Sequence, residues 1–350
     1  NYISKAPDLP DGDPFIGRLM NYTGVEHYFA GPRLHEHLRQ LRAEAFDPYE
    51  AVSIGETPAV GAQLGKLLSA PDRGELDMIF SFDHLENPGR TRFDDYRYDL
   101  EYLRDTWQQW QLDYGLTCWP SLFLENHDNP RMISKVDPRP GHRVAIGKLL
   151  AVLQLTLRGT PFIYQGQELG LVNHAFSSIA QLRDVESLNR YAALRAEGKT
   201  DAAAFAGVMA GARDHARVPM PWDASAHGGF TTGTPWLEGD GDHERWNVEA
   251  ERADSASVLN TYRKLIALRR AHPALVYGEV SFAPHRRGLW EYERALDGER
   301  LRIVANLGDR PRRIAERAGE VVLYASGPAE PAVLAPYEAR VLVQRAEPGL

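Results

Sequence analysis

Two acids in this chain stand where short apolar runs stop. Glu56 ends the run Ala51–Glu56 (AVSIGE), beside Gly55, which lets the backbone turn sharply; Asp128 comes just after the run Pro120–Glu125 (PSLFLE) in the motif ENHDNPR. Cleaving a glycosidic bond usually takes two carboxyl groups, one as the acid and the other as nucleophile or base. In ENHDNPR, His127 can donate to a sugar hydroxyl, Asp128 can accept from two hydroxyls, and Pro130 stiffens the turn. Taken singly, either acid reads as a solvated loop carboxylate, and His127–Asp128 as a hydrogen-bonded loop corner. Taken together at the ends of two apolar runs, the catalytic reading leads.

Such acids need a frame. Apolar runs at Ala51–Glu56, Leu76–Phe82, Pro120–Glu125 and Pro161–Tyr164 alternate with helical patterns at Pro32–Ala45, Gln63–Leu68, Tyr102–Leu112 and His142–Leu157. Continuous apolar runs separated by helices imply βαβ units and a buried parallel sheet. In a (β/α)8 barrel the reactive residues sit at the C-terminal ends of the strands, where Glu56 and His127–Asp128 fall. From about 175 to 235 the pattern loosens. Phe176–Gly211 is Ala-rich and helical in pattern, and Arg213–Thr234 is rich in Gly, Pro and Asp, so this stretch reads as an insertion and closing loop. Ala256–Arg269 is amphipathic and fits a final barrel helix. After His272–Pro273 come the short strand-like runs Leu289–Arg294, Arg302–Asn306, Val321–Tyr324 and Ala339–Gln344, divided by turn residues. The expected organisation is an α/β barrel portion over 1–272 and an all-β domain, a small antiparallel β-sandwich, over 273–350.

Composition narrows the chemistry. The 350 residues carry a net charge of -8, which argues against a nucleic-acid partner and fits a neutral or weakly charged substrate. No apolar run approaches the roughly 20 residues that span a bilayer, so no membrane partner is expected. Cys118 is the single cysteine, so no intrachain disulfide and no cysteine-based metal site can form, which fits a reducing, cytoplasmic setting. Seven Trp and fifteen Tyr could stack on sugar rings, although each one singly reads as core filler.

Five motifs then occur in one order: SIGE, FLENHDNPR, TPFIYQGQELG, ARDHARVPMPWD and GFTTGTPW (Gly229–Trp236). In that order they resemble the oligo-1,6-glucosidase and α-glucosidase subgroup of family 13 glycoside hydrolases, the α-amylase superfamily, over essentially the whole chain. The resemblance implies the C-terminal half of a (β/α)8 barrel, strands five to eight, and then the β domain. It implies Glu56 as general acid/base, Asp128 as the transition-state stabiliser that grips the sugar 2- and 3-hydroxyls, and His127 as its hydroxyl-binding neighbour. It matches Arg213 to the arginine that holds the nonreducing end, leaves Arg217 a structural ion pair, and gives Gln167–Glu168 a packing role. The implied mechanism is retaining, so Glu56 must hold a proton before attack and lie about 5–5.5 Å from the nucleophile. The family's nucleophilic Asp would fall about three residues before Asn1, because NYISKAPDLPDG resembles the end of that nucleophile motif and the loop after it. Asp8, Asp11 and Asp13 match that loop and are no substitutes. The expected partners are therefore an α-glucoside and an N-terminal segment, separate or upstream, that carries the nucleophile. No cofactor or metal is expected in this chain, the family's structural calcium belonging to that segment. The alternatives are a transglycosylase or sugar isomerase on the same scaffold, or a non-catalytic carbohydrate-binding member.

Overall fold

The computed structural model describes residues 11–15, 24, 27 and 29–344. The expected loop acid Asp8 and the stretch around Asn1 lie outside the described residues. The chain divides into two compact units, residues 1–85 with 106–122, and 86–105 with 123–350.

In the first unit α1 (Leu34–Leu41) precedes β1 (Ile54–Glu56), α2 (Ala62–Ser69) and β2 (Met78–Phe80). β1 and β2 run parallel, with Ile54 opposite Met78 and Glu56 opposite Phe80. Both strands are shorter than their apolar runs, for a local reason. Below the ladder a side chain takes the place of one partner: Ser53 N donates to Asp77 Oδ2 at 2.8 Å, while Asp77 N is shared between Ser53 Oγ at 3.0 Å and Ser53 O at 3.2 Å. Above it, Thr57 Oγ1 donates to Phe80 O at 2.8 Å. Gly55 lets the strand lie close to its neighbours, since a Cβ there would stand 2.7 Å from Leu76 Cδ1. The core of this unit gathers Leu34, Leu38, Val60, Leu68 and Ile79, with Trp110 of α3 (Leu100–Tyr114) against it. Burial of these side chains contributes about 1.5–3 kcal/mol each, before the entropy of ordering them.

Next along the chain come β3 (Ser121–Phe123), α4 (Met132–Val136), α5 (Arg143–Thr156) and β4 (Thr160–Phe162). α5 is apolar almost all round, with Ile146 and Leu149–Thr156 buried, as a helix enclosed on every side must be. The expected helical stretch Phe176–Gly211 resolves into α6 (Val185–Ala196) and α7 (Asp201–Met209). Helix cannot begin at Phe176 because the start is set at Asp184, whose carboxylate accepts from the backbone N–H groups of Glu186 and Ser187. Gly198, at φ +85°, and the Thr200 cap make the corner between the two helices. Leu194, Ala204, Val208 and Ala212 join them with Phe176, Leu182 and Leu237 into a second core. The one-turn helix α8 (Asp214–Arg217) comes next, and later α9 (Val258–Ala271), capped by Ser257, packs against α5.

α10 (Pro273–Tyr277) leads into β5 (Glu279–Phe282), β6 (Leu289–Leu296), β7 (Glu299–Asn306), β8 (Arg312–Arg313), β9 (Glu320–Ala325), β10 (Val333–Leu334) and β11 (Ala339–Gln344). Five of them form one antiparallel sheet in the order β5-β6-β7-β11-β9, and β8 pairs with β10 as a separate ribbon. The expected sandwich is therefore unequal: one five-stranded layer, covered at Leu289, Val304 and Leu342 by Ile314 and Leu334.

Two buried arginines join α5, α9 and α10 to this sheet. Arg269 Nη1 donates to Leu155 O and Leu157 O at 2.9 Å and Leu275 O at 2.7 Å, and its Nη2 to Gly159 O at 2.6 Å. Arg294, on β6, donates to Thr156 O at 2.5 Å, Leu275 O at 2.7 Å and Gly278 O at 2.9 Å. These carbonyls end α5 and α10 and have no intrahelical donors, so the two guanidiniums act as C-terminal caps. Burial pushes the Arg294 guanidinium down to about 9 and that of Arg269 to about 10. Farther along, Asp137 Oδ2 receives Arg97 Nη2 at 2.8 Å and Tyr337 OH at 3.2 Å, and His142 Nδ1 lies 2.8 Å away. The Arg139 hydrogen bonds lead the causes that hold its carboxyl well below the usual range.

No helix among the described residues is long and apolar enough to cross a membrane. Among them no group of three or more His, Cys, Asp or Glu side chains could hold a metal, and the Cys118 side chain is buried.

Candidate active site

Glu56 belongs to the first unit. It closes β1 with its side chain exposed, and the next residue, Thr57, is almost fully buried and tied to Phe80 O. The strand end is thus anchored immediately after the acid, which leaves the carboxyl on a fixed stem.

In the second unit the site is built on the turn after β3. Glu125 is buried and fixes the turn from beneath: its Oε2 accepts Arg131 Nη1 at 2.8 Å and its Oε1 accepts Met132 N at 2.9 Å. Asn126 Oδ1 then accepts both Asp128 N and Asn129 Nδ2 at 2.9 Å, an Asx turn that fixes the backbone at the acid. Gly166 (φ +84°) approaches the same scaffold; a Cβ there would stand 3.0 Å from Arg131 Nη2. His127 is exposed on this turn, its Nε2 3.5 Å from Asp128 Oδ2.

Asp128 meets two arginines. Arg213 Nη1 donates to Oδ1 at 3.1 Å, and Arg217 Nη2 donates to the same oxygen at 2.9 Å. Arg217 Nε also donates to His127 O at 2.7 Å, and Arg92 Nη1 to Asp128 O at 2.8 Å. Arg213 and Arg217 are four residues apart, a spacing that puts both on one helical face. The structure therefore brings His127, Asp128 and Arg213 together, and adds Arg217 and Arg92 to them. Arg217 does form an ion pair, as expected, but its partner is the site carboxylate itself. The signal that marks it is the i, i+4 pair within ARDHAR. Arg92 carries no such signal.

Arg213 also pairs through Nε with Asp184 Oδ1 at 2.9 Å and through Nη2 with Glu186 Oε2 at 3.2 Å. Burial works against its charge, but its bonds to Asp128 and Asp184 outweigh that and raise its pKa. Beside it, His215 is buried, and desolvation pushes it down to about 4, so it is neutral at pH 7. Gln167 donates to Gln154 Oε1 at 2.7 Å and Tyr262 OH at 2.6 Å, a packing network. Burial raises the neighbouring Glu168 carboxyl.

Chemically, Asp128 presents a carboxylate with one oxygen neutralised by guanidiniums and the other turned toward an exposed imidazole. That pair can accept two vicinal hydroxyls while His127 donates to one of them.

Comparison with known proteins bears on what such a site does. Residues 1–278 match the model for the alpha amylase catalytic domain, and residues 279–341 match a domain of unknown function, DUF3459. The chain is 35% identical to the oligo-1,6-glucosidase of Halalkalibacterium halodurans over 99% of this chain and 64% of that protein. The crystal structure of trehalose-6-phosphate hydrolase from Bacillus licheniformis is similar with a TM-score of 0.89 at 30% identity, covering 98% of this chain and 63% of that one. A trehalulose synthase structure is similar with a TM-score of 0.89 at 35% identity, over 97% of this chain and 63% of that one. The chain thus spans somewhat under two thirds of the length of these relatives.

Proposed function

The chain belongs to the alpha-amylase family of glycoside hydrolases, and from that premise we propose that it supplies the acid/base and sugar-gripping half of a retaining, exo-acting α-glucosidase. The observation that carries the reading is Asp128, held at one oxygen by Arg213 and Arg217 on the turn after β3. A carboxylate so fixed binds two adjacent hydroxyls of a terminal glucose, and its grip tightens as the ring flattens toward the oxocarbenium ion. His127 donates to a hydroxyl of the same ring. Glu56, on its anchored strand end, protonates the leaving glycosidic oxygen and later takes the proton from the water that releases the sugar. The nucleophilic carboxylate comes from a segment outside residues 1–350, and the barrel portion of this chain corresponds to strands five to eight. The substrate class is terminal α-linked glucose of disaccharides and short oligosaccharides.

The test joins this chain to a segment carrying that nucleophile and monitors an α-glucoside by proton NMR. The expected product released first is α-glucose, and Glu56→Gln removes turnover while Asp128→Asn lowers it by orders of magnitude. Release of β-glucose, or full activity in Glu56→Gln, would sink the assignment. The trehalulose synthase similarity supports a second reading, transfer of the glucosyl group to a sugar hydroxyl instead of water. Incubation with sucrose separates the two: free glucose and fructose mark hydrolysis, and an isomeric disaccharide marks transfer.

A further inference from the structure

Asp184 lies at the start of α6, in the insertion rather than on a strand end, and its side chain is 1% exposed. A helix cap explains part of its environment. Oδ1 accepts Glu186 N at 3.3 Å; Oδ2 accepts Ser187 N at 3.1 Å and Ser187 Oγ at 2.6 Å. A cap does not require the remaining bond, from Arg213 Nε to Oδ1 at 2.9 Å. Nor does it require the return contact, in which the buried Asp214 accepts Arg183 N at 2.5 Å and Asp184 N at 2.9 Å on its Oδ2. Two adjacent residues of α8 and its cap, Arg213 and Asp214, thus both bond to one corner of the insertion.

We propose that Asp184 is a positioning residue for sugar recognition, holding Arg213 so that its Nη1 faces Asp128. This role rests on the reading that Asp128 and Arg213 grip the terminal glucose. The guanidinium is a rigid plane, so fixing Nε at one carboxylate fixes where its two Nη groups point. Nη1 then meets Asp128 and Nη2 meets Glu186. Glu186 is a weaker anchor, because its side chain is 45% exposed and it is shared with Arg92. Asp184 is the buried one. Burial alone would push its carboxyl up, but the donors from Ser187 and Arg213 outweigh it and keep it ionised. The insertion hairpin α6–α7 thereby acts as the support of Arg213.

The experiment separates the cap from the grip. Asp184→Asn keeps a good N-cap, since Asn caps as well as Asp, but gives Arg213 no charge to hold. Ser187→Ala removes a single side-chain donor to Asp184, the Oγ bond to Oδ2, and leaves both the backbone cap and the Arg213 pair. In the active enzyme, this chain with the segment that supplies the nucleophile, Asp184→Asn is expected to lower kcat about 10- to 100-fold with KM changed far less. Ser187→Ala is expected to leave both within about twofold of the parent. On this chain alone, the Arg213 Nε–H, labelled with 15N and assigned through Arg213→Lys, is expected to exchange slowly in the parent and in Ser187→Ala, and rapidly in Asp184→Asn. A kcat in Asp184→Asn within twofold of the parent, an equal loss in Ser187→Ala, or retained protection of the Nε–H in Asp184→Asn overturns the proposal. Fast Nε–H exchange in Asp184→Asn alongside no turnover in any protein supports the hold on Arg213 and refutes the glucosidase reading instead.

Discussion

Replacing Arg217 with Met tests how the site carboxylate is held. The substitution removes two bonds, Nη2 to Asp128 Oδ1 at 2.9 Å and Nε to His127 O at 2.7 Å, and leaves Arg213 as the remaining arginine on that oxygen. Hydrogen bonds to charged partners contribute about 1.5–3 kcal/mol each when buried. Here the Arg217 and Asp128 side chains are 23% and 31% exposed, so solvent screening brings each bond to about 1 kcal/mol. Two such bonds give about 2 kcal/mol, which corresponds to a fall of about 30-fold in kcat/KM. The assay is steady-state hydrolysis of an aryl α-glucoside by the active enzyme, with circular dichroism to show that the fold is kept. Arg217→Lys should recover only part of the loss, because an ammonium keeps the charge without the two-pronged reach. A kcat/KM within about threefold of the parent for Arg217→Met would refute the reasoning, leaving Arg213 to hold Asp128 without help.

Three further outcomes arise from the packing. Arg294→Met takes the arginine donor from Thr156 O and Gly278 O and leaves Leu275 O to Arg269 alone, so it should destabilise the fold by about 3 kcal/mol, read as a lowered urea midpoint. Gly166→Ala forces a side chain into a left-handed backbone at φ +84° and places its Cβ 2.5 Å from Leu171 Cδ1, so a loss of about 2 kcal/mol or more is expected in the same measurement. The Tyr337 hydroxyl, desolvated and beside Asp137, is pushed up to about 12. A group whose folded pKa is raised contributes stability that is complete below its unfolded value, about 10, and that disappears as pH rises through the folded one. Tyr337→Phe should therefore flatten the fall of Tm between about pH 10 and 12 relative to the parent, and an unchanged slope would contradict that account.

Parts of this molecule are legible in one dimension and parts are not, for physical reasons. The alternation of short strands and helices shows through, and the α5 run stands out most because the helix is enclosed on all sides. The burial expected of the strands fails at β1, whose Ile54 and Glu56 are exposed, and at β4, whose three residues are only half-buried. The strand limits are not legible, because Ser53 and Asp77 continue the pairing of β1 and β2 with side chains that look like loop residues. β5 leaves little mark because it is only four residues long and none of them is buried. That Arg213 reaches Asp128 across 85 positions of chain is a tertiary fact that the motif order alone does not contain. The role of Arg92 is farther still from sequence, since its target is a backbone carbonyl of the Asp128 turn, an acceptor every residue possesses. Asp184 is hidden for the opposite reason: an acid ahead of a helix is so common that its second bond leaves no trace in the pattern.

The two carbonyl-capping arginines bear on how the chain reaches its final state. Residues 155–159 end α5 early in the second unit, but the donors they need sit at 269 and 294. During synthesis those carbonyls leave the ribosome well before their partners do, so α5 cannot complete its C-terminal end until β6 has been made. The helices and the sheet are consequently a single folding unit in time, even though a turn at Gly278 separates them along the chain. A nascent chain halted there would hold Arg269 but leave Thr156 O and Gly278 O without the Arg294 donor beside apolar surface, the kind of surface a chaperone recognises. Grafting this sheet onto another catalytic portion would succeed only if the receiving helices ended on carbonyls spaced for Arg294.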